Sequence, residues 1–383
     1  MSTATGLDFG LTPAQETLRT AARVYIAREL TPAFLIEADL AGRAPMELLP
    51  GMAAAGFIGL PVPSEYGGAD GGAGDVSVLL EEFGRTSLSI ASFLNRALGW
   101  GVEAILRFGR QDQKASILPR VCAGDMMFAF SHTEADAGSD AAAIRTRAAA
   151  DGDDFVIDGS KMFTSGAAES PCLIVSARTD PGATRQRGLS VFLVDAKTPG
   201  ITSRRIEKLG MRAAGTLCEV EYRGVRVPKS ALLGELDCGW QVITGTLERA
   251  RLAQAAYCVG GAQQAIDDAL VHVRERPALA GSQTLAHLLV GLQLRTDAAR
   301  LLTHRAAAMV DAGQSCVREA SIANLYATET LVTATSEALR VWGAAGLVPG
   351  HPTERALRDA RLFIIGDGSS QIQRNLIARQ MGL

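Results

Sequence analysis

Residues 217–228 read LCEVEYRGVRVP, and this stretch interrupts a chain that is helical on both sides of it. Val220, Tyr222 and Val225 are set among charged neighbours, the pattern of a strand with one buried and one wet face. Upstream, FVIDGSKMF (155–163), CLIVSARTD (172–180) and GLSVFLVDA (188–196) are further short runs rich in Val, Ile and Phe, bounded by Gly, Pro and Asp turns. From Thr12 to about Ala123 the period is helical. TPAQETLRTAARVYIAREL places Leu18, Ala21, Ala22 and Tyr25 on one face, with Thr12 as the cap before Pro13. From Trp240 onward, helical periodicity returns in three long apolar runs, which must pack on one another and predict a four-helix bundle. The chain is therefore read as α+β in three parts: helical 1–125, a small β domain 126–235, and a helical bundle 236–383.

Composition narrows the function classes. With 38 basic and 41 acidic residues scattered along the chain, nothing marks a nucleic-acid or polyanion partner. No apolar run is long enough to span a membrane, and MSTATGLDFG lacks the charged-then-apolar build of a signal peptide, so a cytoplasmic location is expected. The six cysteines stand singly with no C-x-x-C pair, which argues against a zinc site or a disulfide framework.

Local strings sharpen this outline. Thr133-Glu134-Ala135-Asp136-Ala137-Gly138-Ser139-Asp140, placed before the first strand in this reading, resembles the T-E-x-x-x-G-S-D loop of the acyl-CoA dehydrogenase family. Further matches keep the family's order: PVPSEYGG (61–68), Gly159-Ser160-Lys161-Met162-Phe163, KLGMR (208–212), VRVP (225–228), ERALRDAR (354–361) and SSQIQR (369–374). The resemblance covers nearly the whole chain and implies a β-barrel or sandwich as the middle domain. It also implies an FAD between that domain and the bundle. Thr133 and Ser165 would offer hydroxyls to the flavin ring, Ser165 standing for the usual threonine. Ser139 would sit near phosphates and substrate, Phe163 would replace a frequent tryptophan beside the ring, and His132 could touch the pyrimidine. Taken one by one, these small residues also suit any turn.

The same resemblance places a second set on the bundle. Arg276 matches an arginine that reaches the FAD pyrophosphate of a neighbouring subunit, and Gln283 follows a departure from the family at Leu279-Ala280. Arg340 and Gly343 occupy a turn that receives FAD phosphates from the partner, and Ser369 and Gln371 match FAD contacts. Gly343 equally reads as a helix stop. In SSQIQR, Ser370 and Gln373 have capping-box spacing, with Ser370 as the expected cap.

Asp367, in FIIGDGSSQIQR, stands where many relatives carry the glutamate that acts as general base. The family's other location for that glutamate matches Ala250 here. The resemblance thus implies Asp367 as base, one methylene shorter than glutamate, with Gly366 replacing a bulkier residue and Gly368 beside it at the substrate. Glu248 and Arg251 would line the channel for the thioester's carrier arm, although a simple intrahelical ion pair reads as well. The implied reaction is α,β-dehydrogenation of an acyl thioester, on CoA or a carrier protein. An electron-transfer flavoprotein would accept the electrons from a homotetramer or homodimer. Two alternatives stay open: a flavin oxidase of the nitroalkane-oxidase kind, and a non-catalytic subunit of a heteromeric dehydrogenase.

Overall fold

A computed structural model describes residues 10–383; residues 1–9, most of the stretch read above for a leader, lie outside the described residues. Seven helices come first: α1 (Pro13–Glu29), α2 (Pro32–Ala41), α3 (Leu49–Ala54), α4 (Ala73–Thr86), α5 (Leu88–Leu98), α6 (Trp100–Phe108) and α7 (Gln111–Cys122). Thr12 caps α1 as expected, in a reciprocal capping box with Gln15. Leu18, Ala22 and Tyr25 turn inward, but Ala21 is exposed, because the buried stripe on this helix is narrower than its apolar residues suggest.

Eight strands follow: β1 (Phe128–Ser131), β2 (Arg147–Asp151), β3 (Asp154–Ser165), β4 (Cys172–Arg178), β5 (Leu189–Asp195), β6 (Ile201–Arg205), β7 (Leu217–Pro228) and β8 (Leu232–Leu233). The Thr133–Asp140 loop therefore follows the first strand instead of preceding it. FAFS is too short and too poor in β-branched residues to announce itself, and it pairs in parallel with β4 only in the tertiary fold. The sheet runs β6-β7-β3-β2-β4-β5-β8. On β7, Cys218, Val220, Tyr222, Val225 and Val227 are buried, so the alternation read from the sequence is the one that builds this core. β3 pairs antiparallel with β7, and its register slips twice, the second time between Lys161 and Thr164. Phe163 lies in that slip with φ 58°, a left-handed conformation that a bulge imposes on a residue with a side chain.

The last part holds α8 (Gly239–Arg274), α9 (Pro277–Ala280), α10 (Gln283–Asp311), α11 (Val317–Trp342), α12 (Pro352–Ala360) and α13 (Ser370–Gln380). α8, α10 and α11 pack together, α13 leans on α11, and α4 lies across α8 and α10, tying the N-terminal helices to the bundle. That crossing is close because two glycines permit it. A Cβ on Gly84 would lie 2.3 Å from the Tyr257 carbonyl oxygen, and one on Gly260 would lie 2.0 Å from the Glu81 carbonyl oxygen. Asn324 then locks α11 to α8 by donating to the Arg251 carbonyl at 3.1 Å and to Gln254 Oε1 at 2.7 Å. Those contacts hold α8 in place beside the loop that carries Asp367.

Candidate active site

Asp367 sits in the turn between α12 and α13 with φ 54°, followed by Gly368 at φ 98°. An aspartate tolerates the left-handed region better than most residues, and the glycine lets the chain reverse directly into α13. Several bonds hold this turn: the Gly366 N–H donates to Leu362 O at 2.8 Å, and Gln373 Nε2 donates to the Gly368 carbonyl at 3.0 Å. The helix cap is Ser369, whose hydroxyl accepts from the Ile372 N–H at 3.4 Å. Ser370, expected as the cap, is instead the first helical residue and is buried. Two adjacent serines make the cap ambiguous by one residue, and the Gly368 turn decides it. Gln373 serves the turn carbonyls.

Asp367 is exposed at the turn, yet protein packs around its carboxyl. Burial pushes its carboxyl above the ordinary aspartate value, and the Arg251 guanidinium opposes that push. Arg251 is 7% exposed, its Nε has no hydrogen-bond partner, and burial lowers its pKa against the pull of Asp367 and Glu248. Tyr257, buried one and a half turns further along α8, is pushed up by its own burial and then by the Asp367 charge, and its ring lies 5.3 Å from that of Phe363. Asp367, Arg251 and Tyr257 therefore share one site. Glu248, expected in the same channel, is otherwise engaged. Its Oε1 accepts from both the backbone N–H and the thiol of Cys316, at 3.0 and 2.7 Å, and so holds the start of α11.

At Gly366, the atoms nearest to an added Cβ belong to Leu362, at 3.4 Å or beyond, so a larger residue would meet no closer contact there. Ala250, at the alternative location of a carboxylate, is buried and lines a cavity between α4, α5, α6 and α8.

The β domain presents the other half. Phe163 is 56% exposed and Ser165 is exposed on the same side of β3, whereas Thr164 between them is buried. The Met162 N–H donates to Thr133 O at 2.7 Å, which brings the Thr133 loop alongside. Among the described residues, none covers this aromatic and hydroxyl surface. A planar, hydrogen-bonding ring system fits it, with Phe163 as an apolar wall and Thr133 and Ser165 as polar contacts. Ser139 is exposed beside Gly138, where an added Cβ would meet nothing within 4 Å, so the loop is open to a bulky anionic group. His132 is placed differently. Its ring is buried, pairs with Ser176 Oγ and stacks on Phe130 with centroids 5.4 Å apart; burial, then the Lys161 charge, lower its pKa to about 3. The imidazole is thus buried, whereas Phe163 and Ser165 are exposed.

The sequence reading missed the support beneath this face. Lys161 is 0% exposed and donates from Nζ to Glu134 Oε1 and to the His132 carbonyl, each at 2.9 Å. Glu134 also accepts from the N–H groups of Arg145 and Thr146, at 2.7 and 2.9 Å. The Glu of one motif and the Lys of the other are thus partners, a signal that two charged residues inside strand-like strings could have raised.

The remaining candidates gather elsewhere on the bundle. Arg276 donates from Nη1 to the His272 carbonyl at 3.1 Å, with its guanidinium 5.9 Å from the Trp342 ring centre. Trp342 adjoins Gly343, which ends α11 at φ 62°, so Arg276 and this turn form one corner. Arg340 is exposed and pairs with Glu337 at 2.7 Å. Gln283 and Gln371 are exposed at the starts of α10 and α13. The structure does not bring these residues onto the Phe163 face.

This architecture, a β unit between two helical units with a carboxylate on the turn before the last helix, matches family models along almost the entire chain. Residues 12–125 match the N-terminal domain of acyl-CoA dehydrogenase, 129–225 the middle domain, and 237–382 the C-terminal domain. The chain belongs to the acyl-CoA dehydrogenase family. It is 32% identical over 380 residues to a probable acyl-CoA dehydrogenase, YngJ, of Bacillus subtilis, covering 98% of this chain and all of that one. It is also 32% identical over 366 residues to subunit CarC of the caffeyl-CoA reductase-Etf complex of Acetobacterium woodii, covering 94% and 96% of the two chains. The solved butyryl-CoA dehydrogenase of Megasphaera elsdenii superposes with a TM-score of 0.94 at 27% identity, over 98% of this chain and 100% of that one.

Proposed function

We propose that the protein is a flavin-dependent enzyme that interconverts the saturated and α,β-unsaturated forms of an acyl thioester, with Asp367 as the base that takes the α-proton. The observation that carries this reading is the carboxylate itself. It lies in a turn fixed by Gly368, Ser369 and Gln373, with the protein packed around its carboxyl keeping it more basic than an ordinary aspartate. A base of raised pKa accepts a carbon-bound proton more readily than a surface aspartate does. FAD, when bound, supplies the acceptor for the β-hydrogen, and Thr133, Phe163, Ser165 and Ser139 are the residues that would hold it.

Arg251 stabilises the ionised form of Asp367 before the proton moves, since no other cation acts on that carboxylate. The Asp367 N–H has no acceptor among the described residues and is free to donate to a thioester carbonyl, where negative charge develops as the proton leaves. The Gly366 space accommodates an acyl group wider than a straight chain beside the base.

The Etf complex in the name of the Acetobacterium relative supports an electron-transfer flavoprotein as redox partner. The corner formed by Arg276, Arg340 and Gly343 is assigned to a cofactor held by a second copy in a homodimer or homotetramer. No described helix is long and apolar enough to cross a membrane, which accords with action on a dissolved thioester.

The test is to mix the FAD-loaded protein anaerobically with short, branched and hydroxylated acyl-CoA thioesters and follow oxidised-flavin absorbance. Bleaching by one class is the expected result. A fully loaded protein bleached by none of them, and by no acyl-carrier-protein thioester, would overturn the reading.

A further inference from the structure

The cavity between α4, α5, α6 and α8 has Ala250, the residue before Arg251 on α8, in its wall, and much of that wall is apolar, including Leu98, Trp100 and Leu252. Two polar side chains break that lining. Asn95 projects from α5, and its carboxamide oxygen is buried without a partner. Glu103 projects from α6 and is 7% exposed. Its Oε1 lies 3.0 Å from Arg249 Nε and 3.7 Å from Arg107 Nη1, close enough for an ion pair but without an aligned hydrogen bond. Buried oxygens in this condition are costly unless another group donates to them. Neither is needed to cap a helix or join strands.

We infer that this cavity receives the far end of the acyl group, and that Glu103 and Asn95 select chains carrying a neutral hydroxyl beyond the β-carbon. The inference rests on the acyl-thioester reading above. Charge decides the kind of end group. An ammonium would approach Glu103 against two guanidiniums, and a carboxylate would approach Arg249 against Glu103. A hydroxyl donates to Glu103 or Asn95 Oδ1 and accepts from the Asn95 amide, while the chain behind it meets Leu98, Trp100 and Leu252. The hydroxyl lies beyond the β-carbon because the α- and β-carbons stay at the base and the flavin while the chain end enters the cavity.

The experiment compares anaerobic flavin bleaching of the FAD-loaded protein by four thioesters: pentanoyl-CoA, 5-hydroxypentanoyl-CoA, 5-aminopentanoyl-CoA and glutaryl-CoA. The hydroxylated chain is expected to lead pentanoyl-CoA in bleaching rate divided by half-saturation by about 10- to 100-fold, the worth of a hydrogen bond to a charged group. Glu103→Leu should erase that lead without slowing pentanoyl-CoA. Glu103→Gln, which preserves size and an acceptor, should retain part of it and serves alone if the leucine variant fails to fold. Equal rates for the two neutral chains, a lead that survives Glu103→Leu or is undiminished in Glu103→Gln, or a faster charged chain would each overturn this inference while leaving the reaction intact. Bleaching by none of the four nor by any other acyl thioester would end both.

Discussion

Glu134 and Asp367 are both carboxylates set against a buried cation, and they come out on opposite sides of the ordinary value. At Glu134, burial pushes the pKa up, but Lys161 and hydrogen bonds from the Thr146 and Arg145 side bring it below 4.5. At Asp367, burial pushes the pKa up and only Arg251 opposes, leaving it above 3.8. The difference lies in how completely the oxygens are satisfied. Glu134 accepts three hydrogen bonds from its own chain and works as a clamp. Asp367 accepts no hydrogen bond at its carboxyl among the described residues, as the proposed role of proton acceptor requires. Within one protein, a satisfied carboxylate marks structure and a partly satisfied one marks chemistry.

The largest effect should come from the open carboxylate. Asp367→Asn should slow thioester-driven flavin bleaching by about 10²- to 10⁴-fold, the usual contribution of a positioned base, with flavin content and thermal midpoint unchanged. Bleaching at the native rate would move the base elsewhere and dissolve the contrast. Removing the clamp should act on stability instead. Glu134→Gln leaves the Lys161 ammonium buried without its counter-charge, at a cost of about 3–5 kcal/mol in urea unfolding. Because the folded pKa of Glu134 is depressed, its contribution is present above the ordinary value of 4.5 and is lost as pH falls through the lower folded value. A variant as stable as the parent would show that the clamp is idle.

A subtler change sharpens the comparison through pH. Arg251→Met removes the cation that opposes the upward push on Asp367, so the acid limb of the bleaching rate should move to higher pH. A limb that stays in place, measured across pH at saturating thioester, would mean that the two groups do not communicate. The smallest effect is expected at the cap: Ser369→Ala should cost about 1 kcal/mol of stability, read from denaturant unfolding. Ser370→Ala, lacking a cap to lose, should not reproduce that loss.

Much of the outline was legible because it rests on local periodicity. The alternation in residues 217–228, the capping box at Thr12 and the long helical runs after Trp240 depend on contacts within a few residues. The candidate base was legible through the resemblance of the segment around Asp367. The first strand was not, because FAFS becomes a strand only when β4 lies beside it. His132 was placed near the cofactor by its neighbourhood in the chain, which carried no sign that its ring would be buried against Ser176 and Phe130. Glu248 was read by its distance from Arg251 on one helix, whereas its partner is Cys316, 68 residues away.

The sequence by itself determined the order of helical, β and helical parts and the family to which the chain belongs, and it singled out the carboxylate proposed as base. Those features follow from period, turn chemistry and strings of neighbouring residues. Only the tertiary structure decided which charges are satisfied: that Lys161 belongs to Glu134, that Asp367 faces Arg251 across two elements, and that Asn95 and Glu103 enter one cavity with their oxygens unmet. The physical reason is that the free energy of a buried charge depends on groups brought near it from distant parts of the chain, and local sequence carries no record of that approach.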